Sequence, residues 1–360
     1  MKHSVLPLLA CPRLPRPACG GMLTLHAPDR LPLRSAPGDP DEILEGGLRC
    51  TQCGAGYPIL SGVAVLHPDG PEYLRRYYPA VLRDLDRHGQ VSPAGRAWLT
   101  RGFGGSAGAE DYGADFRFSQ QFEDPWDVAR AMAEQPGEVY GPFAEWLRGI
   151  SGHGPYDVLA GWAVEWVRER HMVVDAGCGG GGLLALVAPL FGAAFGVDLS
   201  FLAILLARRA VLHRPEAERS YFLTPRRGTE VERPLSLRRA DNAELVVGDC
   251  MALPFADGLF DAVCSSNVID IAGLDAPLDE AARVLRPGGT LLLSDPFYFR
   301  DGEAPEGEPR AAVRAAIESR GLAITAERDA VPWAWATYDR HWRLYFNYCL
   351  AARRVDAEGA

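Results

Sequence analysis

The stretch HMVVDAGCGGGG, residues 171–182, decides how this chain folds. An apolar run ends in Asp175, and glycines follow at 177 and at 179–182. A short apolar run of this kind reads as a buried strand. Glycines just beyond it let the backbone turn sharply and come close to a ligand. Gly177, Gly179 and Gly182 satisfy the G-x-G-x-x-G spacing of dinucleotide sites, a weak signal by itself. In a dinucleotide fold the first glycine follows the strand almost directly, whereas here the acidic Asp175 intervenes. What surrounds the glycines therefore has to identify the ligand.

Working outward, strands and helices alternate. AAFGVD (193–198), AELVVGD (243–249), FDAVCSS (260–266) and GTLLLSD (289–295) read as strands. Helical patterns run through GLLALVAPLF (182–191), FLAILLARRAVL (201–212) and DEAARVL (279–285). GLAITAERDAV (321–331) and WRLYFNYCLAARR (342–354) read as two closing strands. The fold class is α/β: a Rossmann-like doubly wound sheet, mostly parallel with an antiparallel last strand. One segment breaks the alternation. Residues 219–242 read as an inserted hairpin around Gly228, with Arg226, Arg227, Arg233, Arg238 and Arg239. It is either a solvated hairpin or an edge facing an acidic or phosphate-bearing substrate.

Upstream, residues 69–155 are mainly helical by pattern, in EYLRRYYPAVLRDLDRH (72–88), EDPWDVARAMAEQ (123–135) and YGPFAEWLRGI (140–150). The glycine-rich stretch 101–116 between them reads as a mobile loop. Residues 1–68 hold short strands and turns around Cys11, Cys19, Cys50 and Cys53. The expected organisation is a cysteine module at 1–68, a helical linker or cap at 69–155 and a catalytic domain at 156–355.

The 360 residues are 48% hydrophobic and 23% charged, as in ordinary globular proteins. The net charge of −10 gives no global pull toward nucleic acid, which is disfavoured but not excluded. Lys2 is the sole lysine among 37 basic residues, so arginine clusters carry less functional weight than usual. No apolar run approaches a membrane span and no secretory signal is legible, so a cytoplasmic protein with no membrane partner is expected. The oligomeric state is not legible. Cys178, Cys250, Cys264 and Cys349 are scattered, as suits a reducing compartment.

Four motifs in register resemble class I S-adenosylmethionine-dependent methyltransferases. They are the D-x-G-x-G-x-G pattern from Asp175, the GVD ending in Asp198, GDCMALPFADGLFDAV (248–263) and RVLRPGGTLLLSD (283–295). The resemblance implies S-adenosyl-L-methionine as cofactor, at the carboxyl ends of the strands. Gly177 and Gly179 would approach its methionine part, and Asp175 would orient the loop and the ammonium. Asp198 would accept from the ribose hydroxyls. Asp249 would accept from the adenine amino group unless it only caps a turn, and the Cys250 backbone would face the ring.

Cys50-Thr51-Gln52-Cys53 is a metal-type knuckle, and Cys11 with Cys19 is a wider pair that keeps the Cys-Pro start and Cys-Gly-Gly end. Four thiolates suit a closed tetrahedral zinc site. Two disulfides or free thiols are the alternatives. The stretch CTQCGAGYPILSGVAVL (50–66) resembles the small zinc-ribbon activator subunits of tRNA and release-factor methyltransferases, with Ala64 where those carry proline. A zinc ribbon fused to a methyltransferase is the reading this implies, with the ribbon stabilising or activating the enzyme.

Substrate residues are harder to read. The [DN]-P-P-[YF] motif of amide methyltransferases is absent after the fourth strand. Asn267, Asp270, Tyr298 and His341 remain as candidate catalytic groups, though Asp270 could cap a helix and His341 could be a surface histidine. Asp295, Pro296, Phe297 and Tyr298 are expected to face substrate. Trp333, Trp335 and Tyr338, with His341, could form an aromatic wall between the last two strands, or simply pack. Expected is methyl transfer to nitrogen or oxygen of a small molecule or peptide. RNA or protein substrates are the alternative, favoured by the zinc module, and a non-catalytic scaffold is a third reading.

Overall fold

The computed structural model describes residues 1–14, 19–28, 31–105, 142–150, 152–212, 219–223, 231–235, 239–299, 304–338 and 341–355. The N-terminal part forms β1 (Leu23–His26), β2 (Arg34–Ala36), β3 (Asp39–Cys50), β4 (Gly56–Leu60) and β5 (Val63–Ala64). Its strand order is β1-β3-β4-β5, with β2 also on β3. Two helices follow, α1 (Gly70–His88) and α2 (Pro93–Phe103), started by Asp69 and Ser92, whose side chains accept from Glu72 N and Gly95 N. Then come α3 (Pro142–Ile150) and α4 (Pro155–Trp166). The expected helix at 123–135 and most of the expected mobile loop lie outside the described residues.

The main sheet is built from β6 (Met172–Ala176), β7 (Ala193–Asp198), β10 (Ala243–Val247), β11 (Phe260–Ser266), β12 (Leu285–Asp295), β13 (Leu322–Tyr338) and β14 (His341–Arg354). Its order is β10-β7-β6-β11-β12-β14-β13. The first five strands run parallel, and β14 is antiparallel to both of its neighbours. The chain moves outward from β6 in one direction and from β11 in the other. The switch point for a ligand therefore lies between β6 and β11.

The inserted segment does pair as a hairpin, β8 (Arg219–Leu223) with β9 (Val231–Leu235). Its turn at Gly228, with Arg226, Arg227 and Arg238, lies outside the described residues, as does the side chain of Arg233. Arg239 is exposed and pairs with Asp241 at 2.5 Å.

Two features depart from the sequence reading. The expected helix 201–212 is α-helical only over Phe201–Ala207 and widens into a π-turn at Arg208–Leu212. The widening coincides with Arg208, which is 2% exposed and reaches Glu42 at 2.6 Å and Glu244. The second departure is the aromatic stretch expected between the closing strands. It lies within them, because β13 and β14 continue through Tyr338 and His341. Trp, Tyr and β-branched residues favour strand, and Pro332 is tolerated because β13 is an edge.

The N-terminal segment is not a separate lobe. Val65 bridges Val247 in parallel, and Leu66 N donates to Val247 O at 2.7 Å, on the edge strand β10. Leu9 bridges Phe255, and Ala10 N donates to Pro254 O at 2.8 Å. One buried core joins Leu6, Leu9, Leu48 and Ile59 to Phe195, Val246 and Phe255. The core on the other face joins Val63, Leu74 and Val81 to Leu183, Val211 and Leu245. Among the described residues no helix is long and apolar enough to cross a membrane.

Candidate functional site

At the carboxyl end of β6, Asp175 is 2% exposed, and its Oδ2 has no hydrogen-bond partner. Burial, and then the neighbouring Asp198, push its pKa up to about 8. The glycine loop follows with φ +82° at Gly177, +51° at Gly179 and +87° at Gly181. A Cβ on Gly177 would stand 2.2 Å from Val268 Cγ2, so only glycine lets the loop pack against the end of β11. A Cβ on Gly179 would meet nothing within 4 Å, so the loop is open where a ligand would approach. Gly181, not singled out from the sequence, is fixed both by its backbone angle and by Val211 and Ala207 at 3.1 and 3.3 Å from its Cβ position. Its signal was the third glycine of D-x-G-x-G-x-G.

Asp198, at the end of β7, accepts from Gly179 N at 3.0 Å and from Ser200 N at 2.8 Å. Its carboxylate thus ties the glycine loop to the start of the next helix, and burial raises its pKa. Asp249 lies past β10, and its Oδ1 accepts from Met251 N at 2.9 Å, so it does shape its own turn. Cys250 lines a narrow cavity with Ala176, Leu253, Ser265 and Ile269, and burial raises its thiol pKa. Arg283 binds Phe255 O at 2.8 Å and Leu253 O at 3.0 Å. This explains why L-P-F and R-V-L-R-P-G-G occur together: the second motif holds the first. The same loop receives Ala10 N from the N-terminal module, so it is clamped from two sides.

Beyond β11, Asn267 has φ +58° and donates from its backbone to Ser294 O at 2.8 Å. Its Oδ1 accepts from Asn347 Nδ2 at 2.7 Å. Asp270 is buried in the short helix of the rim, Ile269–Ala272, beside Asp295. Asp295 was expected to face substrate, but it is fully buried and accepts from Ile269 N at 3.1 Å and Phe297 N at 2.8 Å. It braces the rim, and burial with the Asp270 charge raises its pKa. Tyr298 is 80% exposed. Trp333 packs on Tyr345, ring centres 5.2 Å apart, against the core. The side chains of Trp335, Tyr338 and His341 lie outside the described residues.

The four N-terminal sulfurs, of Cys11, Cys19, Cys50 and Cys53, all lie within 4.8 Å of one another. Gln52 N and Cys53 N point at Cys50 Sγ, each at 3.4 Å, as donors to a thiolate would. A Cβ on Gly21 would stand 2.7 Å from that sulfur, which accounts for the glycine after Cys19-Gly20. The donor set and its closeness fit a four-thiolate metal centre.

Residues 174–293 match the methyltransferase domain family. The demethylmenaquinone methyltransferase of Mycobacterium sp. (strain KMS) is 47% identical over 130 residues, 35% of this chain and 53% of that protein. The ubiquinone/menaquinone biosynthesis C-methyltransferase of Roseobacter denitrificans is 47% identical over 92 residues, 25% of this chain and 36% of that protein. The chain thus spans about half or less of these curated relatives. Similar solved structures include the geranyl diphosphate C-methyltransferase of Streptomyces coelicolor, with TM-score 0.41 and 18% identity over 63% of this chain and 84% of that one. Another is a chain from the complex of the Haloferax volcanii Trm112 methyltransferase activator with a methyltransferase, with TM-score 0.39 and 18% identity over 61% of this chain and 97% of that one.

Proposed function

We propose that the protein transfers the methyl group of S-adenosylmethionine to a small hydroxylated aromatic molecule, and that its N-terminal module holds one zinc ion and braces the cofactor edge. The observation that carries the reading is Asp175, a buried carboxyl with an unfilled oxygen beside an open glycine loop at the switch point. Such a group suits a ligand that brings a positive charge. S-adenosylmethionine supplies an electrophilic methyl on a cationic sulfur. In this reading Asp175 orients the ammonium, Gly177 and Gly179 admit the ligand backbone to backbone, and Asp198 holds the loop while offering its carboxylate to the ribose. The Asp249 turn and Cys250 flank the adenine.

The acceptor class is supported by relatives named for quinone biosynthesis and for carbon methylation. They move the expectation of a nitrogen or oxygen acceptor toward ring carbon activated by a hydroxyl. The zinc reading is supported by the four converging sulfurs. The activating role is supported by the Ala10–Pro254 and Leu66–Val247 contacts, which brace the loop carrying Asp249. Positioning rather than proton chemistry is what the site offers most clearly.

Calorimetric titration should give binding of S-adenosylmethionine and S-adenosylhomocysteine and none of NAD. Labelled methyl transfer should then be followed to 1,4-dihydroxynaphthalene and, in parallel, to bulk tRNA across a salt series. Transfer to tRNA alone, with a steep salt dependence, overturns the small-molecule reading.

A further inference from the structure

We infer that Asn347 contacts the methyl acceptor, its unfilled amide oxygen accepting a hydrogen bond from a hydroxyl on a flat aromatic ring. The inference rests on the proposed methyltransferase reading and names a binding residue that reading did not contain. Asn347 lies on β14 and is 0% exposed. Both N–H bonds of its amide are used, to Asn267 Oδ1 at 2.7 Å and to Ser294 Oγ at 2.8 Å. Its Oδ1 has no partner. A buried carbonyl left without a donor is destabilising, so a ligand that supplies one gains affinity there.

The place is suited to an acceptor. Asn267 stands between Asn347 and Val268, and Val268 touches the Gly177 loop, so the amide belongs to the same rim as the cofactor loop. Ser266, at the end of β11, has a second buried polar atom with no partner, Oγ. Along the β13–β14 hairpin, the pair Val331–Asn347 is followed two residues on by Trp333–Tyr345, on the same face. Those two rings are half-buried and 5.2 Å apart. An aromatic pair beside an amide oxygen selects a ring that carries a hydrogen-bond donor. Asparagine does not titrate, so Asn347 orients the acceptor and does not remove its proton.

The test uses the full chain saturated with S-adenosylhomocysteine, and reads binding of 1,4-dihydroxynaphthalene against 1,4-dimethoxynaphthalene by tryptophan quenching and thermal shift. Wild type should prefer the dihydroxy probe at least tenfold. Asn347→Leu should abolish that preference while S-adenosylhomocysteine affinity stays within twofold. Asn347→Asp keeps the size and the accepting oxygens but loses both N–H donors, and its preference should become pH-dependent because a titrating group now faces the hydroxyl; retained S-adenosylhomocysteine binding in each variant guards against misfolding. Equal binding of both probes by wild type, or an unchanged preference in both variants, overturns the inference. Preference for 1,4-naphthoquinone, which only accepts hydrogen bonds, overturns it too. Failure to bind S-adenosylhomocysteine at all would instead strike the underlying methyltransferase reading.

Discussion

Two polar clusters among the described residues treat their hydrogen-bonding capacity in opposite ways. Around the four cysteines the donors turn inward: Gln52 N and Cys53 N point at Cys50 Sγ, and Tyr57 Oη lies 3.0 Å from Cys11 Sγ. At the carboxyl edge of the main sheet, Asp175 Oδ2, Ser266 Oγ and Asn347 Oδ1 are buried and unfilled. A closed set of ligands holds a fold together, whereas an unfilled set waits for something that comes and goes. The difference supports the proposed reading, in which the first region is structural and the second binds ligand.

The sharpest way to break this contrast is to disrupt the proposed metal centre. Cys50→Ser, or a strong chelator, should cost more than any change at the sheet edge, because structural zinc supplies on the order of 10 kcal/mol or more. The module shares its core with the transferase sheet, so the whole chain should lose its cooperative melting transition along with cofactor affinity. Elemental analysis should find about one zinc per wild-type chain. A Cys50→Ser protein that keeps full cofactor affinity and melting temperature would show that the two regions are independent.

A smaller loss is expected at the seam between them. Arg208→Met removes the cation shared by the buried Glu42 and Glu244, leaving Glu42 the Met1 ammonium at 2.8 Å and Glu244 the backbone N–H of Lys2 at 2.7 Å. Breaking a buried pair on one side costs about 3–5 kcal/mol. The midpoint of urea unfolding should fall accordingly, and a fall no larger than that of an exposed pair such as Arg75–Glu72 would place the seam outside the folding unit.

The smallest effect sharpens the second region. Without ligand, Asp175 is pushed up to about 8 from 3.8, so its folded form holds a proton that the unfolded form has lost. Its contribution to stability is complete below the unfolded value and is lost as pH rises toward 8. Cation binding runs the other way, since a positive ligand needs the carboxylate. S-adenosylmethionine affinity should therefore climb by up to tenfold per pH unit toward about pH 8 and then level off. Calorimetry across pH should show this in wild type and a flat profile in Asp175→Asn. A flat wild-type profile would separate Asp175 from the charged end of the cofactor.

Much of the sheet was legible because β6, β7, β10 and β11 are apolar runs closed by Asp, Gly or Ser, and such runs have few other uses. The glycine loop was legible for the same reason, its residue type being forced by the backbone. The seam was not legible. Val65 and Val247 meet through backbone atoms, which leave no mark on residue type, and Glu42, Arg208 and Glu244 look like three ordinary surface charges in sequence. Asp295 was expected to face substrate because it ends a strand, while its two oxygens serve Ile269 N and Phe297 N. Asn347 did leave a signal: one amide in the aromatic run YFNYC.

The seam also bears on the order in which this chain is assembled. Lys2 N binds the Glu244 side chain across 242 positions of sequence, and Glu42 meets Arg208 across 166. During synthesis the first strands emerge long before the residues they must dock against. Contacts this remote in sequence close late and slow the search for the native state. In the proposed reading, zinc at the four cysteines would hold the early segment in local order while it waits, and docking onto β10 would be the step that completes its core.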